Sequence, residues 1–321
     1  MRITRILAAA LVVLGSIATG ADAQNYPDRV IKMIVPFPPG GATDTLGRIL
    51  GKRMSEILGQ PVVIENHAGA GGTIGIDYVS RQPADGYTMV LVNALPHTAA
   101  KKMYGNLKYD PVKSFTPIGS LGTVSYVLVV NPQFPATDLA TFLTAVRAAP
   151  GKYNYGSSGI GTAPHLVFEL FVRAAGLNVV HVPYQGSGPA MTGLLANDIQ
   201  MALDNTATVP LIKAGKLRGL AQTGKRRSQA LPDVPTFTEA GLPQFDATGN
   251  WGLLTPAGTP DRVVAVLGDA LARAVNDPVV RETLLSQGIT PESGTAQQFA
   301  AVLQSESDRL SKLIEEANIK P

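Results

Sequence analysis

The chain of 321 residues carries 27 Lys and Arg against 24 Asp and Glu, a formal net charge of +3, with 45% hydrophobic residues, 33 Gly, 24 Pro and no Cys. The lack of cysteine excludes disulfides and thiolate metal sites. So slight a charge, with Lys225-Arg226-Arg227 the one dense basic tract and that a solvated turn, argues against a nucleic-acid binder.

Met1-Arg-Ile-Thr-Arg5 is a short basic start before the apolar stretch Ile6–Ala18, and Ala21-Asp22-Ala23 has the small-x-small pattern of a signal-peptidase site. Residues 1–23 are therefore expected to be a cleaved secretory signal, too short for a membrane span, with no Cys after it to carry a lipid anchor. Cleavage would remove Arg2, Arg5 and Asp22 and leave 298 residues at net charge +2, enough for two α/β domains.

Val30, Ile31, Met33, Ile34 and Val35 predict a short buried strand, ended by Pro36, Pro38, Pro39, Gly40 and Gly41. Thr43 or Asp44 then caps a helix whose apolar face is Leu46, Ile49, Leu50, Met54 and Ile57. Strand, glycine turn and helix start leave backbone N–H groups at a positive dipole end, which attracts an anion. No Lys or Arg lies between Lys32 and Arg48, so the turn itself must do the holding.

Pro61–Glu65 predicts a second strand, 66–75 a glycine turn opening a helix through Ser80, Tyr87–Asn93 a third strand, and Ala94–Thr98 its following loop. Residues 115–119 and 124–130 read as two strand-rich segments. Strand alternating with helix argues for a parallel sheet flanked by helices. Asn131-Pro132 marks a change of unit. Asp138 caps a helix through Ala149, residues 152–155 form a strand, and Gly156-Ser-Ser-Gly-Ile-Gly-Thr162 turns into the helix Ala163–Ala175. This repeats the opening design. Strands at Val179–Pro183, Gln200–Leu203 (ending in Asp204-Asn205) and Leu217–Thr223 follow, with a helix at Ala190–Leu195. A strand at Gly249–Leu254 and helices near 261–275, 278–287 and 296–318 complete the chain. Two α/β units that each open with an anion-friendly turn predict a cleft with one turn on each wall, at the carboxyl ends of the strands.

Enzyme motifs fail on inspection. Gly69-Ala-Gly71-Gly72-Thr-Ile-Gly75 has Ile74 where the dinucleotide fingerprint needs its third glycine, and Tyr104-Gly-Asn-Leu-Lys108 is a Tyr-x-x-x-Lys match of a kind that chance supplies. The Gly-x-Ser-x-Gly elbow fails around Ser158 at Ile160 and around Ser187 at Gln185 and Pro189. His67, His97, His165 and His181 are scattered, with no metal-ligand spacing. No catalytic set and no cofactor is expected.

Taken together, Tyr26-Pro27, Val35-Pro-Phe-Pro-Pro-Gly-Gly41 with Asp44, Gln60-Pro-Val-Val-Ile-Glu-Asn66, Gly69–Gly72, Asp85-Gly-Tyr87, Gly156-Ser-Ser-Gly159 with His165, Val182-Pro-Tyr184 with Gly188-Pro-Ala190, and Pro232-Asp-Val-Pro-Thr236 with Glu239-Ala-Gly241 form a specific pattern. It resembles the Bug-type (TctC-like) solute-binding proteins of tripartite tricarboxylate transporters, over essentially the whole mature chain.

That resemblance implies a two-domain α/β periplasmic binding protein of the type II, flytrap kind, monomeric and without enzymatic activity. Domain 1 would be 24–126 plus 226–321 and domain 2 127–225, with a hinge near 125–130 and 222–228. The ligand would be a small carboxylate: a tricarboxylate, a C4 or C5 acid, an amino acid or an aromatic acid such as terephthalate. It would pass to the large and small inner-membrane subunits, or be presented to a signalling partner. The family holds carboxylates on two loops, here Phe37, Gly40, Gly41, Ala42, Thr43 and Asp44, and Ser157, Ser158, Gly159 and Thr162, with His165 and Asp204 in the same cleft. Where the family reads Ser-Asn-Gly-Thr after the third strand, this chain has Val92-Asn93-Ala94-Leu95, which puts a contact from Asn93 in question.

Overall fold

The computed structural model describes residues 26–40, 42–205, 208–317 and 319, with backbone alone at Ala42 and Ala317. The expected signal at 1–23, its Gln24 product end and Gly41 lie outside the described residues.

Ile31–Val35 (β1) is buried on both faces, since Ile31 and Met33 join one apolar cluster and Ile34 another. A strand covered on both sides reads as a continuous apolar run. It pairs in parallel with Val62–Asn66 (β2), Ile31 opposite Val62 and Val35 opposite Asn66, and with Thr88–Asn93 (β3). The helix Ala42–Leu58 (α1) packs Leu46, Leu50 and Met54 into the first of those clusters. Thr73–Ser80 (α2) contributes Ile76 and Val79 to the other.

Phe115–Val124 (β4), Gly249–Pro256 (β10) and Ile289–Gly294 (β11) complete this sheet in the order β11-β4-β10-β3-β1-β2. The second sheet holds Val127–Val130 (β5), Asn154–Ser157 (β6), Val180–Pro183 (β7), Met201–Asp204 (β8) and Arg218–Gln222 (β9), in the order β7-β6-β8-β5-β9. Each sheet is the centre of one domain.

Three expectations need correction. Neither sheet is purely parallel: β10 runs against β3 and β4, and β5 against β8 and β9. The reason lies in the route of the chain. It returns from the second domain at the carboxyl end of β3, so β10 must run back along it. The segment read as a loop after β3 is the helix Ala94–Met103 (α3), because Asn93 Oδ1 accepts the Leu95 N–H at 3.1 Å and caps it. The two strand-rich segments at 115–130 break at Ser125-Tyr126, where the chain leaves one sheet for the other.

The crossing is tied at its centre. Tyr126 N–H donates to Thr223 Oγ1 and Thr223 N–H to the Tyr126 carbonyl, both at 2.9 Å. Leu139–Arg147 (α4) and Ala163–Ala175 (α5) bring Phe142 and Phe171 together. Phe171 packs on Phe237 and Phe245 with ring centroids 5.3 and 5.5 Å apart, just past Leu231 and Val234, which join an apolar cluster of the second sheet. Arg173 of α5 also pairs with Glu316 in the C-terminal helix Ala296–Ala317. Among the described residues no helix is long and apolar enough to cross a membrane.

Candidate ligand-binding site

The first turn is built by β1 ending at Val35 and α1 starting at Ala42. Asp44 is therefore inside the helix, at its third residue, and does not precede it as a cap. Its carboxylate folds back on the turn: Gly40 N–H donates to Oδ2 at 2.9 Å, Arg48 Nε donates to the same oxygen at 2.9 Å, and Asn66 Nδ2 donates to Oδ1 at 2.9 Å. Asn66 also donates to the Phe37 carbonyl at 3.1 Å, which the β1–β2 register makes possible by placing it opposite Val35. The Arg48 guanidinium holds the Asp44 carboxyl down at about 2, helped by Gly40 and Asn66 and opposed by burial. A cation does stand at this turn, then, but it is matched to Asp44. Gly40 N–H is occupied, and the first-turn N–H groups of Thr43 and Asp44 are the donors without an intrahelical carbonyl. The Thr43 side chain is half-buried.

The second turn joins β6 to α5. Thr162 is the N-cap of α5 but makes no side-chain cap bond. Its hydroxyl instead donates to the Gly159 carbonyl at 2.7 Å and accepts from Ser158 Oγ at 3.1 Å. The start of α5 is thus left open at its positive end, the arrangement that receives an anion. Gly159 and Gly161 have φ of +128 and +76, backbone that a side chain would strain, so a bulkier residue at either would disturb the empty protein as well. Gly159 N–H is turned inward to Ser157 Oγ at 3.2 Å, and Gly161 N–H to His165 Nδ1 at 3.0 Å. Burial, with His181 alongside, lowers His165 to about 3, so it is neutral.

Asp204 is fully buried at the end of β8. It accepts Asn205 N–H on Oδ1 at 2.8 Å, and burial raises its pKa. Its Oδ2 has no partner at ordinary hydrogen-bond geometry among the described residues, and the nearby Ser187 hydroxyl offsets the effect of burial only in part. Since β6 and β8 run parallel with Gly156 opposite Ala202, the second turn and Asp204 leave the sheet at the same end. In the other domain the first turn and Asn93 likewise follow the ends of parallel strands. Asn93 Nδ2 donates to Tyr126 Oη at 3.4 Å, and Tyr126 leads into β5, where Val127 lies opposite Asp204. Both sets of strand ends therefore meet the crossing. The second turn also reaches the other domain, because a Cβ on Gly161 would stand 2.4 Å from Met103 Cε of α3. Between Phe37–Asp44 and Ser157–Thr162 themselves no hydrogen bond forms among the described residues.

A model of the tripartite tricarboxylate transporter family receptor, TctC, matches residues 46–319. The chain belongs to the TctC family. Protein BugT of Bordetella pertussis (strain Tohama I) is 35% identical over 100% of this chain and 99% of its own length. Among solved structures, periplasmic binding protein BugD is 34% identical with a TM-score of 0.78, covering 92% of this chain and 100% of its own. MatC from Rhodopseudomonas palustris, solved with bound malate, is 33% identical at TM-score 0.78 over 90% of this chain and 100% of that one. An R. palustris protein solved with adipate is 33% identical at TM-score 0.80 over 92% and 100%. The chain is thus a solute-binding receptor of a transport family, not an enzyme, with the fold of periplasmic binding proteins.

Several residues of this TctC site escape a linear reading. Asn66 and Arg48 complete the first turn, and His181 lies against the second. Asn66 could have been found from strand pairing alone, as the last residue of a strand in register with the turn. His181 could not, because it is 24 residues from Ser157 and reaches it only through β6–β7 pairing, with Tyr155 opposite His181. The four histidines looked scattered along the chain, yet two of them stack face to face here. Among the described residues no group of His, Asp and Glu is placed to hold a metal ion.

Proposed function

We propose that this TctC receptor, exported by cleavage after Ala23, captures a small dicarboxylate between its two domains and delivers it to the two membrane subunits of a tripartite transporter. The observation that carries this reading is the uncapped start of α5, in a chain whose structural relatives hold malate and adipate. One ligand carboxylate lies against the main chain from Phe37 through Gly40, Gly41 and Ala42 to the Thr43 hydroxyl. The other lies against Ser157–Thr162, where the Ser158 hydroxyl turns from Thr162 to the ligand and Thr162 keeps the Gly159 carbonyl. Asp44 and His165 hold these loops from behind, and Asp204 stands in the same cleft. Domain 1 is 24–126 plus 226–321 and domain 2 is 127–225; the receptor works as a monomer.

A diacid that bridges two walls favours the closed state, because it touches both only when they meet. Esterifying one end removes a charge-assisted bond of about 1.5–3 kcal/mol, at least about a tenfold loss of affinity. Calorimetry with malate, adipate and their monoesters is the test. Equal binding of acid and monoester would replace the two-walled clamp with a site for a single carboxylate.

A further inference from the structure

Four rings stand in a column beneath the second turn. His165 and His181 are stacked with centroids 4.0 Å apart and planes 8° from parallel, Tyr155 follows at 4.7 Å and 20°, and Phe168 at 3.8 Å and 4°. The two histidines each hold the turn by a different atom. His165 Nδ1 accepts the Gly161 N–H at 3.0 Å, and His181 Nε2 shares a 2.7 Å hydrogen bond with Ser157 Oγ. Ser157 Oγ in turn accepts the Gly159 N–H. The pair therefore fixes both ends of the segment Ser157–Gly161, while ring stacking fixes the pair.

An imidazolium has no acceptor nitrogen, so the Gly161 bond requires neutral His165 with its proton on Nε2. Burial provides that neutrality: it lowers His165 to about 3, with His181 adding to the effect, and His181 to about 4. The other titratable groups of the column are Tyr155 and, through its hydroxyl, Glu169, whose Oε1 accepts that proton at 2.5 Å. Glu169 thus faces Tyr155 and not the histidines.

We propose that His181 and His165 are positioning residues of the anion turn: by binding Ser157 Oγ and Gly161 N–H they aim the remaining groups of the turn and the open start of α5 at the ligand. This rests on the second turn being the carboxylate site. It assigns a role to His181 and makes ring stacking the reason that His165 can support the turn.

The test separates hydrogen bond from ring. His181→Phe keeps the stack and loses the bond to Ser157, whereas His181→Gln places an amide where Nε2 stood and loses the ring. His165→Phe and His165→Asn do the same for Nδ1. Malate is the probe, with calorimetry for affinity and hydrogen exchange of the Gly161 amide in the empty protein. We expect both Phe variants to bind malate at least about tenfold more weakly, and His181→Gln and His165→Asn to bind within about threefold of the parent. Gly161 N–H should lose protection in His165→Phe and keep it in His165→Asn. Phe variants that bind like the parent, with the Gln and Asn variants impaired, would show that the column only packs and would overturn the proposal. Should one pair fail to fold, the other pair decides. If the parent binds neither malate nor adipate, the ligand reading falls, and Gly161 exchange alone still decides whether His165 holds the turn.

Discussion

A carboxylate beside an anion-receiving turn repels the ligand unless something cancels it, and at Asp44 three donors do so. Their contributions differ. Arg48 has a side chain 54% exposed, so its pairing is screened by water and worth about 0–1 kcal/mol. The Asn66 amide lies against a carboxylate only 4% exposed, and removing that acceptor leaves it unpaired at about 1–3 kcal/mol, whereas the N–H of exposed Gly40 turns to water. Asp44→Ala should therefore destabilise the empty protein by about 1–3 kcal/mol, and Arg48→Ala by less than about 1, read by urea unfolding. Equal losses would mean that the ion pair, and not the turn network, is what Asp44 supplies.

The seating of α1 on the sheet sets where the first turn points. Gly47 and Gly51 lie one helical turn apart on the face that meets β1 and β2. A Cβ on Gly47 would stand 2.7 Å from Val35 Cγ2, and one on Gly51 2.8 Å from Ile64 Cδ1. Glycine inside a helix costs about 1 kcal/mol relative to alanine, and here the close approach of helix to strand offsets it. Gly47→Leu should push α1 off β1 and lower stability by about 1–3 kcal/mol, as overpacked cores do. Gly188, exposed in the first turn of Ser187–Ala196 with nothing within 4 Å of a Cβ, is the control. Alanine there should leave stability unchanged or raise it by up to about 1 kcal/mol in the same urea titration. A stabilising Gly47→Leu would show that the helix has room.

At the scale of the molecule, two short crossings carry the relation between the domains, at Ser125-Tyr126 and beside Thr223. Few residues there can turn a whole domain, so we expect saturating malate to reduce the radius of gyration in small-angle scattering; an unchanged radius would argue against closure. What the sequence determined by itself is what short-range physics controls. Apolar runs of strand length gave β1, β2 and β3, proline and glycine ended them, and glycine turns before helices marked both candidate loops. A change of unit was legible near Asn131-Pro132, one short strand past the crossing at Ser125-Tyr126, and the motif pattern indicated the family. Tertiary structure alone decided which groups those loops still offer. Gly40 is taken by Asp44, Gly161 by His165 and Ser157 by His181, and each pairing depends on strand register or on helix seating, which no local pattern encodes. The direction of β10 was hidden for the same reason: a strand's residues specify that it is buried, but the side from which the chain re-enters the domain specifies which way it runs.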